Sequence, residues 1–248
     1  MRIAIDTHTH TVASGHAYST VYELAMGARK RHLKGFVLTD HGPALGSTHP
    51  YHFSNMRILP ERICGVRLYR GVEANILDLG GALDLGDEYL EQLDFAYAGL
   101  HESCFPSRSV EENTQALAAA LRNPLVDAIS HPGNPRYPVD IVAVVLAAKE
   151  NGKAIEINDS SFRIRKGSLA TCSEFARLCA QTGTLVVCGS DAHYWSDVGR
   201  FEQVNARLRE AKIPRELVVN ASKASFEAFL ERRGAEKKAR PGAASKIL

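Results

Sequence analysis

Little in this chain points to cysteine chemistry. Its five cysteines, Cys64, Cys104, Cys172, Cys179 and Cys188, are odd in number, scattered, and never spaced C-x-x-C. That argues against a disulfide framework and a thiolate zinc site, and it fits a reducing compartment such as the cytoplasm. Long apolar runs are missing too. None approaches the roughly 18 residues of a membrane-spanning helix, and the opening MRIAIDTHTH turns polar after five residues, so neither membrane insertion nor secretion is expected. There is no surplus of one charge, with 30 Lys+Arg against 28 Asp+Glu. Such a balance gives no sequence-independent grip on nucleic acid or on an anionic membrane. Nucleic acid is therefore disfavoured, and a small molecule is the expected partner. Glycine-rich phosphate loops, internal repeats and interdomain linkers are also absent.

What is present is enough apolar material for one core, 45% of 248 residues. Short apolar runs at 3–5, 36–38, 68–72, 95–100, 128–129, 154–157 and 185–188 read as strands. Between them lie stretches of helical period, such as Val21, Leu24, Ala25 and Ala28 behind a Thr20–Glu23 capping box, and Val139, Val142, Val145 and Leu146. Strands alternating with helices predict parallel pairing and right-handed crossovers. Seven such units suit a distorted, TIM-like (β/α)7 barrel of one domain over 1–234 better than an open sheet. The polar residues follow six of the seven strands, and only closure of the sheet brings six strand ends to one place. The polar stretch 235–248 reads as a flexible tail.

Those polar residues carry the chemistry. In Asp6-Thr-His8-Thr-His10, after the first strand, two histidines two apart point the same way and can converge on one ion. Alone, that pair is weak evidence and reads more readily as a polar strand end. The rest of the pattern weighs against that: His16 follows in the same loop, Asp40-His41 ends the second strand and Glu73 the third. His101 ends the fourth, His131 the fifth, and Asp191-Ala-His193 the seventh. Seven of the ten histidines thus stand where barrel active sites stand. Nine such donors exceed one four- to six-coordinate ion and imply two or three metals. Nitrogen and oxygen ligands without thiolate suit zinc first, then manganese or iron. Cations so close acidify a bridging water to a pKa of roughly 7, and the resulting hydroxide can attack phosphorus in line.

These residues resemble the polymerase and histidinol phosphatase (PHP) family, and within it the YcdX-type phosphatases. The resemblance covers almost the whole chain. It rests on Asp6 to His10, His16-Ala-Tyr-Ser19, Thr39-Asp-His-Gly-Pro43, Asn55-Met-Arg57, Gly71-Val-Glu-Ala-Asn75, Leu100-His-Glu102, Ser130-His-Pro-Gly-Asn-Pro135, Asn158 to Phe162 and Gly189-Ser-Asp-Ala-His193. It implies a distorted (β/α)7 barrel with three metals and hydrolysis of phosphate monoesters. One metal would be held by His8, His10, Glu73 and Asp191, and a second by His101 and His131 with Glu73 bridging. His16, His41 and His193 would hold the third.

Supporting roles are expected of several neighbours. Arg57, Arg165 and Lys166 are candidate phosphate contacts, although loop cations are usually just solvated. Asn75, Asn134, Ser160 and Ser161 offer hydrogen bonds to substrate, but they also suit turns. His49 and His52 suit a pocket wall, a proton donor or an ordinary rim loop. Asp6 and Asp40 are expected to orient ligand histidines through the second ring nitrogen. Cys104 reads as a loop thiol, Cys188 as core and His32 as helix surface. The rival activities are a histidinol-phosphate phosphatase, an exonuclease or phosphodiesterase of the same family, and an amidohydrolase, which a strand-end lysine would have favoured. A non-catalytic, metal-stabilised binding module is the remaining alternative. It needs saturated coordination, whereas nine ligands for three ions leave open positions.

Overall fold

The computed structural model describes residues 1–238. Its strands are β1 (Ile5–Thr9), β2 (Gly35–Leu38), β3 (Arg62–Ile63), β4 (Val66–Asn75), β5 (Phe95–Gly99), β6 (Ala128–Ile129), β7 (Ala154–Asn158) and β8 (Leu185–Gly189). All but β3 run parallel in the order β1-β2-β4-β5-β6-β7-β8, and β3 is a short antiparallel addition beside β4. Among the described residues, β3 is the strand that the apolar runs did not signal. Helices cross over between the strands at Val21–Lys30, Val110–Leu121, Ile141–Glu150 and Ser168–Thr182, and Lys223–Lys238 packs last.

Local chemistry accounts for these crossovers. The Thr20 hydroxyl accepts from the Glu23 N–H while the Glu23 carboxylate accepts from the Thr20 N–H at 2.7 Å, so the first crossover helix starts on its capping box. Asp140 caps Ile141–Glu150 through a 3.0 Å bond from the Ala143 N–H. That helix buries Val144, Val145 and Ala148 and leaves Val142 50% and Leu146 41% exposed. The period read from Val139, Val142, Val145 and Leu146 thus holds at Val145, with Val139 packed against the core ahead of the helix, and fails at Val142 and Leu146. A helix apolar nearly all round carries no stripe of its own, and its neighbours decide which side is covered.

The sheet closes almost completely. Between β1 and β8 there is no full ladder; the Thr9–Ala192 bridge joins them, with the His10 N–H on the Ala192 carbonyl at 2.9 Å and the Ala192 N–H on the His8 carbonyl at 3.3 Å. The buried amide of Asn220 stitches the seam lower down. Its Nδ2 donates to the carbonyls of Ile5 (2.8 Å) and Cys188 (2.7 Å), and its Oδ1 accepts from the Cys188 N–H at 3.1 Å. Ile5, Val37, Tyr69, Phe95, Tyr97, Ala128, Ala154 and Val187 form a cluster to which every parallel strand contributes, and Phe226 and Phe229 of the last helix pack against it. The larger apolar cluster lies between strands and helices. The molecule is a single α/β domain, a nearly closed barrel of seven parallel strands ringed by helices.

Two boundaries differ from the sequence reading in ways that matter. β1 runs to Thr9, so His8 sits inside the strand rather than after it, and a register irregularity between Asp6 and Thr9 adjusts which residues face inward. β4 continues to Asn75, so Glu73 lies inside that strand. The stretch read as a tail from Ala235 begins within the last helix, and residues 239–248 lie outside the described residues. Among the described residues no helix is long and apolar enough to cross a membrane.

Candidate functional site

The nine donors picked out from the sequence converge at the polar end of the barrel. Pairing of β2 with β4 continues past the strand ends, with the Glu73 N–H on the Asp40 carbonyl (3.1 Å) and the Gly42 N–H on the Glu73 carbonyl (2.9 Å), which sets Glu73 beside His41. The Glu73 carboxylate is fully buried and central. Its Oε2 lies 3.1 Å from His8 Nε2, 3.6 Å from His10 Nε2 and 3.1 Å from His41 Nδ1. Its Oε1 lies 2.7 Å from His131 Nε2 and 3.3 Å from His101 Nε2. Asp191 Oδ1 is 3.3 Å from His10 Nε2 and 3.7 Å from His8 Nε2. His16 and His193 meet Nε2 to Nε2 at 3.0 Å.

The second ring nitrogens show which atoms are free. His8 Nδ1 donates to Glu156 Oε1 at 2.8 Å. His10 Nδ1 donates to Ser14 Oγ at 3.1 Å, because that hydroxyl spends its own proton on Asp40 Oδ1 at 2.7 Å. His16 Nδ1 and His193 Nδ1 face the carbonyls of Ser14 (2.9 Å) and Asp191 (3.0 Å). Carbonyls and carboxylates only accept, so these rings turn bare nitrogens into the bowl. His8 Nε2, His10 Nε2, His41 Nδ1, His101 Nε2 and both Glu73 oxygens are buried without a hydrogen-bond partner. Such a concentration of orphaned lone pairs is what a cation site requires and what an ordinary core avoids. Three overlapping groups have ligand atoms within 4.8 Å of one another: His8, His10 and Asp191; His10, His41 and His193; His41, Glu73 and His101.

Protonation agrees with that geometry. Burial opposes charge on Glu73 and Asp191, yet the surrounding imidazoles, joined at Asp191 by Arg165, hold both carboxyls well below their ordinary range. Burial and the nearby His193 push His10 down to about 4. Burial likewise lowers His16, His41 and His131. His8 is the exception: burial lowers it, but Glu156, Glu73 and Asp191 together outweigh burial and raise it well above the usual value. Three carboxylates around one imidazole call for positive charge at that point. His131 (φ 30°) and Asp191 (φ 56°) also hold left-handed backbone, an outlier pattern common at functional sites.

The bowl has a volume of about 790 Å³ and is lined by all of these donors except the fully buried His8 and His10, together with Leu45, Glu102, Ser160, Arg163, Ile164 and Arg165. Arg165 is only 17% exposed, with Nη1 2.8 Å from Ser161 Oγ and 3.4 Å from Asp191 Oδ2. Arg163, passed over in the sequence, lines the bowl while paired with Asp197 at 2.9 Å. Lys166 is exposed and outside the lining. Arg57 lies with His52 and Tyr51 in a separate cavity. His52 Nε2 reaches Asp40 Oδ2 at 3.1 Å, while His49 caps a short helix. Asn75 is buried and donates to the Gly42 carbonyl (3.2 Å) and Asp84 (2.5 Å). Asn134 forms a turn through the Arg136 N–H. Asp40 acts on His10 only through Ser14. Asp6 serves no imidazole: it accepts from Ser190 and Gly199 N–H groups and ties β8 to β1, while burial pushes its carboxyl up to about 6. Glu156, which does hold an imidazole, was missed because a lone glutamate within an apolar strand carries no signal.

No family model matches the chain. It is 52% identical over 234 residues to a probable phosphatase of Acetivibrio thermocellus, covering 94% of this chain and 97% of that one. It is 46% identical over 235 residues to a probable phosphatase of Caldicellulosiruptor bescii, covering 94% and 98%. The chain belongs to this family of probable phosphatases. Among solved structures, this probable-phosphatase chain is similar to histidinol phosphate phosphatase from Lactococcus lactis in complex with zinc, L-histidinol and phosphate. The TM-score is 0.59 at 13% identity, over 86% of this chain and 95% of that one. It is also similar to a chain of archaeal ribonuclease P with mature tRNA, with a TM-score of 0.58 at 14% identity over 98% and 97%. At such identities the likeness shows the fold alone.

Proposed function

We propose that the chain is a metal-dependent phosphomonoesterase of PHP type acting on small phosphorylated molecules. The observation that carries the reading is the ring of bare, buried nitrogens around the ionised carboxylates of Glu73 and Asp191. His8, His10, Glu73 and Asp191 would hold one divalent ion, His101 and His131 with Glu73 a second, and His16, His41 and His193 a third. Zinc suits these donors best, and manganese or iron also fit. Bound there, such ions supply hydroxide near neutral pH and neutralise phosphoryl charge.

The chain's own groups do the rest. Glu73 and Asp191 remain charged and aprotic, so they hold cations rather than shuttle protons. The Arg165 guanidinium, nearly buried at the inner wall, is aimed to bind and orient a phosphate oxygen. Arg163, neutralised by Asp197, and Ile164 shape the outer wall for the leaving group. A bowl of about 790 Å³ suits a small ester. The test joins elemental analysis to hydrolysis of p-nitrophenyl phosphate, histidinol phosphate and a labelled oligonucleotide, before and after chelation. Chelation is expected to abolish monoester hydrolysis and re-addition to restore it. Tightly held metal with no ester hydrolysed would instead indicate a binding module, and preference for the oligonucleotide a nuclease.

A further inference from the structure

Glu156 lies on β7 with its side chain fully buried, and no atom of it faces the bowl as a free donor. Both oxygens are committed. Oε1 accepts from His8 Nδ1 at 2.8 Å, Oε2 accepts from the His131 backbone N–H at 2.6 Å, and Asn158 Nδ2 lies 3.3 Å from each. The first contact keeps the His8 proton on Nδ1 and leaves Nε2 bare, 3.1 Å from Glu73 Oε2. The second pins the peptide of His131, whose backbone is left-handed at φ 30° and whose Nε2 lies 2.7 Å from Glu73 Oε1. One carboxylate therefore governs the two imidazoles on opposite oxygens of Glu73. Gly189 makes this approach possible, since a Cβ there would collide with Glu156 Oε1 and stand 2.5 Å from His8 Cβ. Asn158 extends the arrangement outward: its Oδ1 lies 3.4 Å from Arg165 Nη1.

We infer that Glu156 is the positioning residue that sets the His8 tautomer and the His131 backbone together, so that the two ion positions flanking Glu73 are built as one unit. This rests on reading the bowl as a metal centre. Glu156→Gln tests it with little change of shape: an amide accepts at one end only, so it can serve His8 or the His131 N–H but not both. Apparent metal affinity is expected to fall about 10–100-fold, with the ions on both sides of Glu73 lost in step. In ¹⁵N NMR of metal-free protein, recorded at a pH above the raised titration of His8 so that the ring is neutral, His8 is expected as the Nδ1–H form in the wild type and as a tautomer mixture in the variant. Glu156→Asp, whose shorter side chain cannot reach both His8 Nδ1 and the His131 N–H, is expected to act in the same direction and stands in if Glu156→Gln does not fold.

An Nε2–H tautomer of His8 in the wild type overturns the inference, as does unchanged metal affinity in either variant. Loss of metal with the His8 tautomer unaltered assigns Glu156 a merely structural role and also overturns it. A wild type that binds no metal defeats the phosphatase reading instead, and the tautomer measurement on metal-free protein still decides the role of Glu156.

Discussion

Arg165 and Lys166 are adjacent and carry the same charge, yet only one of them meets the bowl. Arg165 folds inward onto Ser161, Asn158 and Asp191, whereas Lys166 stands in solvent one residue before the left-handed Gly167. A charged hydrogen bond to phosphate is worth about 1.5–3 kcal/mol, which is roughly a 10–100-fold change in kcat/KM. Arg165→Ala is expected to lose that much, mainly through KM if the contact is formed equally in the ground and transition states. Lys166→Ala is expected to leave steady-state kinetics unchanged, and an equal loss in both variants would remove Arg165 from its assigned role. The donors themselves were legible in the sequence, because histidine and acidic residues at strand ends form a pattern that short range reveals. Glu156 was not, since its partner His8 is 148 residues away and the strand around it is merely apolar.

Among the elements, the seam between β1 and β8 is the join that lacks a full ladder and also the one that sets His8, His10 and Asp191 side by side. Strand positions were readable from apolar runs bounded by polar residues, and seven of them recur close to the expected places. How the first meets the last was not readable, because a few cross-chain bonds decide it. Asn220 replaces ladder bonds there with three bonds from one side chain. Removing it takes a partner from the Cys188 N–H and the Ile5 carbonyl, at about 1–3 kcal/mol for each, while the Cys188 carbonyl keeps the Thr7 hydroxyl. Asn220→Ala is therefore expected to destabilise the fold by about 3 kcal/mol or more in urea titration. A loss under about 1 kcal/mol, within the range of ordinary surface changes, would mean that the seam holds without it. The Ile141–Glu150 helix makes the same point, since its apolar content was evident while its buried face depended on the elements packed around it.

On the scale of the whole molecule, the barrel has an apolar floor closed by Phe226 and Phe229 and an opposite end of bare nitrogens and ionised carboxylates. Without cations, that end is a store of unsatisfied groups, so ligands that bind only the folded state should stabilise it. A site filled at 100 times its Kd adds about 2.7 kcal/mol, and each kcal/mol shifts Tm by about 2–4 °C in a domain of this size. Chelation is therefore expected to lower Tm by about 5–10 °C for each ion removed. Calorimetry with and without chelator checks this, and an unchanged Tm would show that folding and metal are not linked.

The sequence by itself determined the alternation of strands and helices, the single-domain barrel and the chemistry of the nine donors, because periodicity and residue type act over short stretches of chain. Only the tertiary structure decided which arginines face the bowl, that Glu156 rather than Asp6 holds an imidazole, that Arg57 lies in a separate cavity and that the Asn75 amide is spent on Gly42 and Asp84. Those outcomes depend on which strand end lies across from which, and such contacts are made between residues too far apart in the chain for any local pattern to record.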